Sequence, residues 1–209
     1  MWINFFSKIY LVNLAKRRDR LFETAEHLEK YEIPFSLFTA IEKPDGAEGL
    51  RDTMNLIFDE AIENNYPNIL VLEDDCEFIK EKIWVDETMN GVVEQLPENY
   101  LLCYLGGQAT GGYSGFYSGN LLPVTKYFAT HAVMYSLQGI KEIKARNLGY
   151  PIDNWLVDNI QTQGRCYGIH PLLASQRAGY SDIGKAEINW FPFIVPRHEQ
   201  KINELNARQ

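Results

Sequence analysis

No stretch of this 209-residue chain is apolar for long enough to span a bilayer, and no cysteine pair has the spacing of a metal or redox motif. The three cysteines, Cys76, Cys103 and Cys166, are odd in number and scattered. They argue against a disulfide framework or a structural zinc site and fit a reducing compartment. Basic residues are few, 20 against 28 acidic ones, for a formal charge of −8. That balance disfavours a broad grip on nucleic-acid phosphates, although a local basic cluster can still hold one phosphate. Repeats, low-complexity tracts and linkers are also lacking. The run Met1–Leu14 is rich in Trp, Ile, Phe, Leu and Val, but Lys8 interrupts it, no basic segment precedes it and no small-residue cleavage site follows. The expectation is one domain over 1–209 in the cytoplasm.

What is present is a periodic pattern. Lys8–Asn13 reads as a strand, and Ala15–Tyr31 has helical apolar spacing that Ile33-Pro34 closes. Pro34–Ala40 reads as a second strand and Ala47–Asn65 as a one-sided helix. Asn68–Leu72 follows as a strand buried on both faces. The order β-α-β-α-β implies right-handed crossovers and an α/β fold whose central sheet is mostly parallel, with helices on both faces. Further on, the spacing predicts a helix from Lys82 to Leu96, strands at 100–105 and 128–136, helices at 137–148 and 151–163, a strand at 166–173 and a polar, helical tail. Gly106 to Asn120 carries six glycines. A loop of that length in a compact domain suggests a lid or acceptor-binding segment.

Two clusters carry chemistry. Asn68-Ile69-Leu70-Val71-Leu72 runs straight into Glu73-Asp74-Asp75. Three carboxylates at a strand's C-terminal end fall in the crevice where open α/β sheets bind ligands. Like charges so close repel unless a proton or a cation neutralises them, and Mg²⁺ or Mn²⁺ bridging carboxylate and phosphate oxygens is the simplest cation. The second cluster, Asn13-Leu14-Ala15-Lys16-Arg17-Arg18-Asp19-Arg20, joins the first strand to its helix. Arginine at a helix N-terminus suits phosphate. A solvated acidic turn and a solvated helix face would read the same in isolation.

Taken together, Ile9-Tyr10-Leu11-Val12-Asn13-Leu14 with Arg17-Arg18-Asp19-Arg20-Leu21, and Leu70-Val71-Leu72-Glu73-Asp74-Asp75, resemble glycosyltransferase family 25. That family includes lipopolysaccharide-type and collagen-type sugar transferases. Tyr104-Leu105-Gly106, His131-Ala132-Val133-Met134-Tyr135-Ser136, Pro151-Ile152-Asp153 and Pro171-Leu172-Leu173 through Gln176 to Ser181-Asp182-Ile183 resemble further family blocks in the same order. The resemblance implies a GT-A fold, a nucleotide-sugar donor such as a UDP-sugar, and Mn²⁺ or Mg²⁺ at the acidic motif. It implies Asp75 as the main metal ligand, with Glu73 and Asp74 on metal, ribose or donor sugar. Asn13, Arg17 and Arg20 would sit at the nucleotide. Such folds often add a late histidine to the metal, here His198 or His170. Inverting transfer needs a general base for the acceptor hydroxyl. Asp153 is the expected base, with Asp158 and Asp182 as alternatives. At Gly49-Leu50-Arg51-Asp52-Thr53-Met54 the chain lacks the family's serine–histidine pair.

The expected function is metal-dependent transfer of a sugar to an acceptor hydroxyl on a glycan, a lipid-linked glycan or another hydroxylated substrate. A nucleotidyltransferase and a donor-binding module without turnover are the alternatives. Donor sugar, base, acceptor and oligomeric state stay open.

Overall fold

The computed structural model describes residues 1–111, 113 and 115–208. After a 3-10 turn at Trp2–Phe5 come β1 (Lys8–Asn13), α1 (Arg18–Lys30), β2 (Ser36–Thr39), α2 (Gly46–Glu63) and β3 (Asn68–Glu73). The chain continues with β4 (Cys76–Phe78), α3 (Lys82–Gln95), β5 (Leu102–Tyr104), β6 (Gln108–Ala109), β7 (Leu121–Pro123), β8 (Tyr127–Phe128) and β9 (Ala132–Ser136). It ends with α4 (Leu137–Ala145), α5 (Ile152–Asn159), β10 (Cys166–Ile169), β11 (Ala174–Gln176), β12 (Gly179–Ser181), β13 (Ala186–Ile188) and α6 (Phe191–Asn206).

Seven strands form one mixed sheet in the order β2-β1-β3-β9-β5-β10-β7. β2, β1, β3, β5 and β10 run one way, while β9 and β7 run against them. Helices cover both faces, as the α/β reading expects. β3 shows why its sequence is apolar without a break. Successive side chains of a strand point to opposite faces. Ile69 and Val71 therefore join Tyr10, Val12 and the α2 residues Met54, Ile57 and Phe58. Leu70 and Leu72 join Leu11, Leu28 of α1, and Val85, Met89 and Val92 of α3 in the opposite core. A fully buried side chain of this size contributes about 1.5–3 kcal/mol. A polar residue at Leu70 or Val71 would thus remove a large share of the stability typical of a domain.

The order β2-β1-β3 opens a crevice at one end of the sheet. From β1 the chain crosses to β2 on one side, then returns past β1 to β3 on the other. Crossovers in opposite directions put α1 and α2 on opposite faces. The carboxyl ends of β1 and β3 are left open between them, at a topological switch point. α2 begins where Asp45 accepts a hydrogen bond from the Ala47 amide at 2.9 Å, which satisfies one of the otherwise unpaired first-turn donors.

The single strand predicted over 128–136 is broken in the structure. β8 pairs with β6 outside the main sheet, and β9 lies between β3 and β5. Ala129, at φ 74°, makes the break. Left-handed backbone is costly for a residue with a Cβ, and here it turns the next residue, Thr130, toward β3.

Candidate functional site

β3 ends at Glu73, and Asp74-Asp75 form the turn into β4. Glu73 accepts a hydrogen bond from Thr130 Oγ1 at 2.7 Å, across from the Ala129 bend. Arg20, in the first turn of α1, spans the two aspartates, with Nη1 at 3.0 Å from Asp74 and Nη2 at 2.5 Å from Asp75. Asp74 is 7% exposed, and its carbonyl accepts from Thr24 Oγ1 at 2.6 Å. β11 pairs antiparallel with β4, setting Gln176 opposite Cys76. The Arg177 amide then donates to the Asp75 carbonyl at 2.7 Å. The acidic turn is therefore held from three sides, by α1, by the β8–β9 bend and by β11.

Its charge is under-compensated. Burial, reinforced by the neighbouring Asp75, pushes Glu73 up to about 8. Burial also pushes Asp74 up to about 7, with Arg20 opposing. Asp75 Oδ1 is buried without a hydrogen-bond partner, and so is Asn13 Oδ1 at the end of β1. A hard divalent cation fits this all-oxygen donor set. It would give Asp75 Oδ1 a partner and favour the ionised form of its neighbours.

Two cavities meet at this turn. The first, of about 130 Å³, is lined by Asn13, Lys16, Arg20, Lys43 and Lys185 together with Glu73, Asp74 and Asp75. The second, of about 240 Å³, is lined by Phe128, Thr130, Asp153, Ile188, Trp190 and Ile194. Glu73, Leu50, Gln176, Ser181 and Ile183 belong to both walls. One cavity is thus charged and the other largely apolar, with Glu73 between them. The hairpin β12–β13 supplies two of the residues that border both, Ser181 and Ile183. It is tied to the strand-1 loop through Asp182, which takes Arg17 Nη1 at 2.5 Å and Lys16 Nζ at 3.2 Å. Burial works against the Asp182 carboxylate, but the Arg17 and Lys16 hydrogen bonds hold its pKa below the usual range.

Of the residues expected from sequence, Asn13, Arg20, Glu73, Asp74 and Asp75 converge on the charged cavity. Arg17 is turned from that wall toward Asp19 and Asp182. Asp153 lies in the first turn of α5 and lines the apolar cavity. Asp158, on the same helix, is exposed and lines neither. His198 does not line either cavity. It is buried in α6, with Tyr113 Oη at 2.7 Å from Nδ1 and His170 Nδ1 at 3.0 Å from Nε2. Burial, then the His170 charge, lowers His198 to about 3. Of the glycine-rich segment, Gln108 lines the apolar cavity. The expected lid also includes Gly112 and Ser114, which lie outside the described residues. Gln176 was named only within the block 171–183, and Lys43, Lys185 and Thr130 were not singled out by the motifs. Each reaches the site from a separate element, and no local pattern marks them.

No protein-family model and no curated protein sequence matches the chain. Solved structures resemble it in fold. A197 from STIV aligns over 86% of this chain and 91% of its own, at 14% identity and a TM-score of 0.51. A glycosyltransferase involved in glycosylation of the major capsid of PBCV-1 aligns over 77% of this chain and 79% of its own, at 17% identity and a TM-score of 0.49. A mutant Drosophila beta-1,4-galactosyltransferase 7, in complex with manganese, UDP-Gal and xylobiose, aligns over 80% of this chain and 69% of its own, at 11% identity and 0.48. At these identities the likeness is one of fold: a mixed α/β sheet flanked by helices. Among the described residues, no helix is long and apolar enough to cross a membrane.

Proposed function

We propose that the chain is a GT-A-like glycosyltransferase that moves a sugar from a nucleotide-sugar donor, a UDP-sugar, to an acceptor hydroxyl. One observation carries the reading: a charged cavity and an apolar cavity adjoin at the acidic turn and share Glu73. A donor with a diphosphate and an acceptor with a hydrocarbon or sugar face need two such unlike subsites, opening on one reacting centre. Asp75 and Glu73 would hold Mn²⁺ or Mg²⁺, whose charge when bound stabilises the departing diphosphate. Lys16, Lys43 and Lys185 supply further cations along the same wall. Asn13 Oδ1, buried and unpaired, is an acceptor for a ribose hydroxyl or a base N–H.

In the transfer, the acceptor oxygen forms its bond to the anomeric carbon as the bond from that carbon to the phosphate oxygen breaks. Asp153 takes the hydroxyl proton, and the nucleoside diphosphate leaves with the bonding pair. Electrostatic stabilisation of that developing charge is the largest contribution the site can make.

Isothermal titration of UDP-sugars with and without Mn²⁺, followed by assay of nucleoside diphosphate release, tests the reading. Metal-dependent binding and release, both lost in Asp75→Ala, support it. Release of pyrophosphate from a nucleoside triphosphate would instead assign a nucleotidyltransferase. Binding without release across an acceptor panel would assign a donor-binding module.

A further inference from the structure

His170, at the end of β10, and His198 and Glu199, adjacent on α6, are far apart in sequence but come together in the fold. One ligand atom from each lies within 4.8 Å of the other two. His170 Nδ1 and His198 Nε2 are 3.0 Å apart, with their rings within 25° of parallel. Two imidazole nitrogens on one tetrahedral zinc ion, each bonded at about 2.0–2.1 Å, lie roughly 3.3 Å apart. A shift of a few tenths of an ångström therefore converts this contact into the edge of a coordination tetrahedron.

The surroundings are those of a metal ligand pair. The far nitrogen of His198, Nδ1, faces Tyr113 Oη at 2.7 Å. A ligating histidine ordinarily donates its second N–H to a carboxylate, carbonyl or water oxygen, and here the Tyr113 hydroxyl oxygen stands in that position. His170 is pinned at its backbone, where its amide donates to the Asn120 carbonyl at 2.9 Å and its carbonyl accepts from Asn120 Nδ2 at 2.8 Å. Phe116 packs edge-on against the His170 ring at 6.0 Å. His198 is fully buried and Glu199 is exposed, so the group is rigid on one side and open to an entering ion on the other.

We propose that His170, His198 and Glu199 form a second metal site, independent of the acidic turn, that takes a borderline transition metal such as Zn²⁺. Two imidazoles and one carboxylate select zinc, cobalt or nickel, whereas the all-oxygen acidic turn selects magnesium or manganese. A metal here would fasten α6 to the end of β10 and, through Tyr113, to the glycine-rich segment. That is a structural role, with no part in the transfer reaction.

The test uses the whole chain stripped with chelator and titrated with CoCl₂ and ZnCl₂. Visible d–d absorption of bound cobalt and calorimetry report occupancy. With excess Mg²⁺ present to occupy the acidic turn, one equivalent of cobalt should bind, zinc should displace it, and zinc should raise the melting temperature. Outer ligands alone are worth 10–100-fold in affinity. Tyr113→Phe should therefore weaken zinc binding about 10-fold, and His170→Ala by more than about 100-fold. Asp75→Ala should leave this binding unchanged, which separates the site from the acidic turn. Glu199→Gln changes an exposed side chain and serves as the variant least able to disturb folding; it should also weaken binding. Absence of a cobalt spectrum, or affinity unaltered in both His170→Ala and Glu199→Gln with native circular dichroism, would overturn the proposal.

Discussion

Replacing Gly106 with alanine is the most direct test of how the acidic turn is held. A Cβ at Gly106 would lie 1.9 Å from the Ala174 carbonyl oxygen, 2.7 Å from its carbon and 2.9 Å from His131 Nε2. Ordinary contact begins near 3.4 Å, so the first of these is short by about 1.5 Å. The obstacle is backbone and cannot rotate away. That backbone is also fastened in place, because the amides of Leu173 and Ala174 both donate to the Leu105 carbonyl, at 3.0 and 3.1 Å. Overpacking of this kind costs about 1–3 kcal/mol. Losing one of the two buried hydrogen bonds adds about 1–3 kcal/mol more. The expected loss is about 2–6 kcal/mol, read as a lower urea midpoint at unchanged slope. The displaced β11 also carries the Arg177 amide that holds the Asp75 carbonyl, so metal affinity at the acidic turn should fall in whatever fraction stays folded. Gly179→Ala is the control: nothing lies within 4 Å of its added Cβ, and its stability should stay within about 0.5 kcal/mol of wild type. A Gly106→Ala loss below about 1 kcal/mol would refute the packing argument.

Other outcomes follow from the same geometry. Thr24 is fully buried and links the Asp74 carbonyl to Arg177 Nη2, both at 2.6 Å. Thr24→Val should cost about 2–3 kcal/mol in chemical denaturation by leaving both groups unpaired. Asp45→Ala removes the α2 cap and should cost about 1 kcal/mol. Asp153→Asn should leave calorimetric donor affinity intact while lowering turnover by about 10²–10⁴-fold; unchanged turnover removes the residue from the reaction. His27 Nε2 accepts from the Phe78 amide at 2.7 Å, and burial, with the charges of Arg177 and Lys30, lowers its pKa. Below pH 6.5 the unfolded chain binds a proton here that the folded chain refuses, so stability is full above pH 6.5 and falls as the solution is acidified. Against a His27→Gln variant, wild type should lose about 0.7 kcal/mol more per pH unit near 6.5, rising toward about 1.4 at lower pH while the folded imidazole stays neutral. Parallel pH profiles for the two proteins would contradict that linkage.

Legibility in the sequence followed the range of the interaction that fixes each part. β1 and β3 are readable because their burial on two faces demands an unbroken apolar run. α2 is readable because one helical stripe must meet one core. The acidic turn stood out since three adjacent carboxylates are costly anywhere. What was not readable depends on partners distant in the chain. β4, β6, β8 and β11 are two or three residues long and have no period of their own. They exist because another strand pairs with them. The reversed direction of β9 left no trace, since a strand buried on both faces has the same composition either way. Ala129 looks like an ordinary strand residue, yet its bend is what delivers Thr130 to Glu73. His170 and His198 were legible only as alternatives for one metal, and the fold sets them against each other instead.

The ion pairs of Asp182 have a consequence for selectivity. Its carboxylate already occupies Lys16 and Arg17 at 3.2 and 2.5 Å, in the manner of a resident anion on the rim of the charged cavity. At Lys16 and Arg17, an arriving anion exchanges with that carboxylate. A singly charged ion such as chloride or acetate replaces like with like and gains nothing. The diphosphate of the proposed donor would bring more charge and more oxygens to the same two partners. On the proposed function the hairpin would favour the more highly charged of two competing anions at these partners, and rising salt would weaken that preference by screening both alike.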